Sequence, residues 1–201
     1  MTRGIHDPSR RNFLTGAAAA GAATLLRGSA LQAQPAKRHG VIDTHHHFYA
    51  PDYLKVENAW EDQRHLFHYP AHAKWTPEVS LAEMDRGGVQ TAVLSLPSVS
   101  DSWWGLDAPG ASRMARLCGD YATRMMQDHP GRFALFAPLC MLDVDLTLKD
   151  IEYAFDTLHA DGVGLMSNYG RIWPGDPAFA PVFDELNARQ EIGRASCRER
   201  V

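Results

Sequence analysis

The sequence predicts an α/β fold, a parallel sheet covered by helices, arranged as the N-terminal half (four βα units) of a TIM-type (β/α)8 barrel. Three observations carry this prediction. Short apolar runs alternate with helical patterns in the order β-α-β-α-β-α-β-α, which is the order of a helix-covered parallel sheet. The runs are nearly continuous in apolar residues, as strands buried on both faces are. An eightfold barrel takes about 250 residues and eight such units, and four are present. A doubly wound sheet is the alternative arrangement, but no Gly-x-Gly-x-x-Gly follows any strand, so dinucleotide binding has no support.

The elements follow in order. Val41-Ile42 opens a short β-like run that ends in Asp43-Thr44-His45-His46-His47-Phe48, and a long loop rich in His, Trp and Tyr extends to about Trp75. Ser80 with Glu83 three residues on is a capping-box pattern for a helix through Arg86, stopped by Gly87-Gly88. Residues 89–96 read as a buried strand closed by Pro97. Met114, Leu117, Cys118, Tyr121 and Met125 keep helical spacing between Ser112 and Asp128. Residues 133–139 form the third strand. Asp145 opens a helix with Leu148, Ile151, Phe155 and Leu158 on one face, and residues 162–166 form the fourth strand. Asp176-Pro177 is an N-cap followed by proline at the first helical position, with Phe179, Val182, Phe183 and Leu186 as the stripe.

Both ends read as foreign to this pattern. Arg10-Arg11 followed by Phe13-Leu14, an Ala/Gly/Leu run over residues 15–26 and a small-residue exit to Ala33 make a secretory signal over residues 1–36. The paired arginines resemble the twin-arginine export signal, which implies a periplasmic or exported protein. The run is too weakly apolar for stable membrane insertion. Residues 191–201 have no apolar periodicity, and Ile192 to Val201 read as a translated sequencing adapter, so the native gene is expected to be cut near Gln190. Of 201 residues, 45% are hydrophobic and 22% charged, with 16 Gly and 12 Pro, which excludes disordered, collagen-like and coiled-coil classes. The full chain carries 20 basic and 24 acidic residues; residues 37–190 carry 13 and 21, a net −8. That balance excludes a nucleic-acid partner. Cys118 and Cys140 sit in apolar patterns and read as free buried thiols.

The chemistry concentrates at the end of the first strand. His45 and His47 alternate to one face, with His46 on the other. Two imidazoles at i and i+2 there can hold one metal ion from one side, where barrel enzymes place catalytic groups.

Val41-Ile42-Asp43-Thr44-His45-His46-His47-Phe48 with Pro51 resembles the opening of the amidohydrolase-related metal enzymes. The branch is the one holding aminocarboxymuconate-semialdehyde decarboxylase and aromatic-acid decarboxylases, with the 6-methylsalicylate decarboxylase-like group most similar. Trp75-Thr76-Pro77, Ser80 to Asp85, Thr91 to Ser95, His129 to Phe133 and Asp161 to Gly164 continue the likeness. The resemblance implies a divalent metal held by His45 and His47, zinc first and manganese as the alternative, with Asp43 orienting. It places the next His ligand on a fifth strand and the catalytic Asp on the last strand, so the catalytic residue is not identified in this chain. It implies a metal-dependent decarboxylase of a small aromatic or unsaturated carboxylic acid, of which this chain is an inactive fragment. A metal-dependent hydrolase of a lactone or amide is the alternative. Homodimers are frequent in the family.

Four further residues are candidates for substrate binding: Trp103 and Trp104 after the second strand, and Asn168 and Tyr169 after the fourth. Aromatic walls and loop packing use the same side chains. His65, His68 and His72 in the first loop are spaced irregularly, which favours loop packing or substrate contact over a second metal site.

Overall fold

The computed structural model describes residues 40–97 and 103–190, with the backbone alone of residues 193–196. The expected export segment, residues 1–36, lies outside the described residues.

The sheet is parallel throughout, in the order β1 (Val41–His47), β2 (Val89–Ser95), β3 (Phe133–Pro138), β4 (Gly162–Met166) and β5 (Gly193–Ser196). Sequential parallel neighbours joined by helices are the repeat of a (β/α)8 barrel. The first four strands are the four the sequence predicts, and β5 lies within residues 191–201, outside the βα pattern. Residues 163–166 pair with residues 193–196. A ladder needs only backbone N–H and C=O groups, so this pairing leaves no apolar signature to find.

Six helices with fully described bounds connect the strands: α1 (Pro51–Gln63), α2 (Pro70–Lys74), α3 (Pro77–Gly87), α4 (Ala108–Asp128), α5 (Val144–Glu152) and α6 (Ala180–Arg189). The long first loop therefore contains two helices, each with proline in its first turn. The face that α1 buries is Tyr53, Glu57 and Glu61. That stripe keeps helical spacing but is two-thirds carboxylate, so apolar periodicity passes over it.

Three caps sit upstream of the predicted starts. Thr76, not Ser80, caps α3: its Oγ1 accepts from the Val79 amide at 3.3 Å. Asp107 caps α4 through the Gly110 amide at 2.8 Å, and Asp143 caps α5 through the Leu146 amide at 2.9 Å. In each case a polar residue precedes the helix by more than the apolar stripe suggests. Asp176 caps the 3-10 turn Pro177–Phe179 that leads into α6, as the sequence predicts, with Ala178 N donating at 2.9 Å.

The core joins Ala92 and Leu94 of β2, Phe133 and Leu135 of β3 and Val163 and Leu165 of β4 to Met114, Cys118 and Met125 of α4 and Ile151 of α5. Each Val, Leu, Ile, Phe or Met among them, fully buried, contributes roughly 1.5–3 kcal/mol from apolar burial. Leu117, placed on the α4 stripe by spacing, is instead exposed. Cys118 and Cys140 are free and buried. Burial pushes both thiols up, which makes them inert core groups. Among the described residues no helix is long and apolar enough to cross a membrane.

Candidate active site

β1 delivers three histidines to the C-terminal end of the sheet. His45 Nε2 and His47 Nε2 lie 3.1 Å apart, with ring centroids 4.8 Å apart in a T-shaped pair. Two nitrogens each about 2.1 Å from one tetrahedral metal sit about 3.4 Å from each other, so the pair has the spacing of two ligands to one cation. The register with β2 slips between Asp43 and His46, so that β1 carries one extra residue there. Such bulges re-aim side chains at functional ends of strands.

His47 Nδ1 lies 3.3 Å from the Ser95 carbonyl oxygen. A carbonyl only accepts, so Nδ1 carries the proton and Nε2 keeps its lone pair. Metal-ligating histidines are commonly oriented by such a carbonyl.

His46 faces the other way, into a chain of hydrogen bonds. Trp75 Nε1 donates to Ser80 Oγ at 2.9 Å, and Ser80 Oγ lies 2.9 Å from His46 Nε2. His46 Nδ1 in turn lies 3.1 Å from Asp43 Oδ2, and the His45 amide donates to Asp43 Oδ1 at 2.9 Å. Burial pushes the Asp43 carboxyl up, but the His45 amide and the His46 ring together hold it below the usual carboxylate range. Asp43 thus fixes the backbone of one candidate ligand and the ring between the two. Among the described residues no group of three His, Cys, Asp or Glu could hold a metal, so the described site offers two imidazoles.

Beside this pair, the C-terminal ends of β2, β3 and β4 enclose a small cavity lined by Ser95, Leu96, Trp103, Phe136, Met166 and Tyr169, among others. Trp103 Nε1 donates to the Cys140 carbonyl at 2.8 Å. The Cys140 amide donates to Asp150 Oδ2 at 3.3 Å, and the Met141 amide to Thr147 Oγ1 at 2.9 Å. Trp103, Trp104 and Met141 all hold positive φ, at 67°, 58° and 56°. Bulky residues in the left-handed region are strained, and such strain persists only where the surroundings impose it.

A profile of the amidohydrolase family matches residues 42–190. The chain belongs to the amidohydrolase family. A second profile, the twin-arginine translocation pathway signal sequence, matches residues 7–26, so this amidohydrolase carries an address for export by that pathway, to the periplasm or outside. It is 40% identical over 156 residues to decarboxylase yanB of Aspergillus niger, covering 75% of this chain and 41% of that protein. It is 32% identical over 158 residues to 6-methylsalicylic acid decarboxylase acuB of Aspergillus aculeatus, covering 75% and 46%. This amidohydrolase thus spans less than half the length of both relatives. The crystal structure of dihydroxybenzoic acid decarboxylase from Polaromonas sp., with bound manganese and the inhibitor 2-nitroresorcinol, matches with a TM-score of 0.65 at 18% identity. That match covers 81% of this chain and 50% of the other. The likeness is one of fold: the four βα units are half of a (β/α)8 barrel.

The four candidate substrate residues of this amidohydrolase divide between two places. Trp103 and Tyr169 line the cavity. Trp104 is buried against Tyr53 and Trp60, with ring centroids 5.9 and 5.2 Å away. Asn168 closes the turn after β4, donating to the Gly170 carbonyl at 3.0 Å. Of the first-loop histidines, His72 Nδ1 lies 3.5 Å from Glu57 Oε2 and His68 Nε2 lies 3.0 Å from Asp62 Oδ1. Both join the helices of the loop, α1 and α2 or the segment between them. The sequence gives Ser95 no role and assigns Ser80 to a cap; Thr76-Pro77, a cap followed by proline, is the signal that would have freed Ser80 from the cap and left its hydroxyl to His46.

Proposed function

We propose that this chain is the N-terminal part of the catalytic domain, residues 37–190, of an exported metal-dependent decarboxylase acting on a small aromatic carboxylic acid. The observation that carries the reading is the convergence of His45 and His47 through Nε2, with His47 oriented by the Ser95 carbonyl. The identity to two decarboxylases supports the reaction class. The manganese in the Polaromonas enzyme supports a divalent cation, Zn2+ or Mn2+, as the group these imidazoles hold.

When bound, the cation supplies positive charge that polarises a substrate oxygen and offsets the negative charge of the departing electron pair. The residues of this chain do the rest of the work described here. His47 keeps its proton on Nδ1 and presents Nε2. Asp43 and His46 fix the strand end on which both ligands sit. Trp103, Phe136 and Met166 exclude water from the adjoining cavity, which strengthens charge interactions within it. Cleavage of the ring–carboxyl bond leaves its electron pair on a ring carbon, which must take up a proton.

The test is release of labelled CO2 from carboxyl-labelled 6-methylsalicylate and hydroxybenzoates by a Mn2+-loaded full-length protein that contains residues 37–190, set against its His45→Ala/His47→Ala variant. Release that depends on both histidines supports the reading. Products that retain the label, or release unchanged in the variant, overturn it.

A further inference from the structure

The cavity beside His47 holds a side-chain oxygen with no partner. Ser95 is buried, its Oγ has no hydrogen bond, and the wall around it is Leu96, Trp103, Phe136, Met166 and Tyr169. The two polar atoms of that wall are already engaged: Trp103 Nε1 donates to Cys140, and Tyr169 Oη accepts from the Met166 amide at 3.0 Å. An orphaned buried hydroxyl costs about 1–3 kcal/mol, so its presence asks for a ligand.

We propose that this cavity is a subsite for one ring hydroxyl of the aromatic acid, hydrogen-bonded by Ser95 Oγ and walled by Trp103. The inference rests on the aromatic-acid reading above and adds to it the place and chemistry of one substituent. Size supports it, because the free volume is about 20 Å³, room for one water-sized group rather than a ring. Chemistry separates a hydroxyl from a free water. A buried water needs about three polar partners, whereas a hydroxyl already carried by a ring needs only Ser95. Position supports it as well, since the carbonyl of the same Ser95 receives His47 Nδ1. The substituent would therefore bond the same residue whose carbonyl orients a candidate metal ligand. Trp103 is a fixed wall, held by the Cys140 peptide, whose amide is itself tied to Asp150.

The experiment is a tryptophan-fluorescence titration of the full chain and its Ser95→Ala variant with isosteric pairs, 2- and 3-hydroxybenzoate against 2- and 3-methylbenzoate. EDTA is present throughout, so that chelation by an ortho hydroxyl contributes nothing. The hydroxy member of at least one pair binds about tenfold tighter, the value of one hydrogen bond, and Ser95→Ala erases that preference while methylbenzoate affinity stays within twofold. The thermal midpoint of the variant is equal or higher, because an unpaired buried hydroxyl has been removed. Equal affinities within every pair, a preference unchanged in Ser95→Ala, or a lowered midpoint overturns the subsite and leaves the aromatic-acid reading standing. Failure of every benzoate to bind the EDTA-treated chain also overturns the subsite, while the metal-dependent aromatic-acid reading is decided separately by the labelled-CO2 test.

Discussion

His47 Nδ1 and the Ser95 carbonyl meet at 3.3 Å across the β1–β2 ladder, where the two residues are register partners. The strand pairing that builds the sheet is therefore also what sets the tautomer of a candidate metal ligand. Removing either imidazole leaves a single nitrogen, so His45→Ala and His47→Ala each reduce Mn2+ or Zn2+ affinity by well over tenfold. His46→Phe keeps both ligands but breaks the bonds to Asp43 and Ser80, and lowers affinity by about 10-fold, the low end for lost orienting partners. Calorimetric titration of the three variants checks the order; a His46→Phe loss as large as that of His47→Ala would refute it.

Asp150 is the buried hub behind Trp103. Its carboxylate accepts from Ser112 Oγ at 2.7 Å, Arg116 Nε at 2.9 Å and the Cys140 amide at 3.3 Å. Asp150→Ala leaves the buried Ser112 hydroxyl and Cys140 amide without an acceptor, at about 1–3 kcal/mol each, while the half-exposed Arg116 guanidinium turns to solvent. Asp150→Asn retains part of the network and costs less. Urea unfolding gives the two values, and the near-ultraviolet signal of Trp103 weakens in both variants because the Cys140 peptide loses its anchor.

The strands and the β1 histidine pair were legible because both depend on short-range pattern: apolar runs for one, i and i+2 alternation for the other. The α1 helix was hidden because Glu57 and Glu61 occupy its buried face. Ser95 was hidden for a different reason. A serine ending an apolar strand has no local signature, and its importance comes from Trp103 and Tyr169, which chain positions 8 and 74 residues away bring to the same cavity. Trp104 beside Trp103 shows the converse: two adjacent tryptophans look equivalent in sequence, yet only the first lines the cavity.

Glu57 makes stability depend on pH. Burial first, then the neighbouring Glu61 charge, raises its carboxyl from 4.5 to about 7, against a lowering contribution from the Tyr53 hydroxyl. The unfolded chain loses this proton near pH 4.5 while the folded one retains it to about pH 7, so the Glu57 contribution falls as pH rises through that window and stays lost above it. The slope is at most about 1.4 kcal/mol per pH unit. His72, which faces Glu57, is lowered by burial and acts in the opposite sense just below the ordinary histidine range. Comparison with Glu57→Gln isolates the carboxyl: the variant gains stability relative to the parent between pH 5 and pH 8. A difference that does not change across that range would show that Glu57 is not held protonated.

β1 lies at one end of the described sheet and pairs within it only with β2. At that edge Val41 and Ile42 are 52% and 63% exposed. An apolar strand edge with unpaired backbone groups is a template for intermolecular pairing. Sedimentation of the purified chain therefore shows self-association that rises with concentration. Ile42→Lys suppresses it, because a lysine on an edge strand opposes the approach of a second strand. The Ile42 side chain is exposed and lies outside the Asp43–His46 segment that carries the ligands, so metal affinity is unchanged. Association that persists in Ile42→Lys would place the contact on another surface.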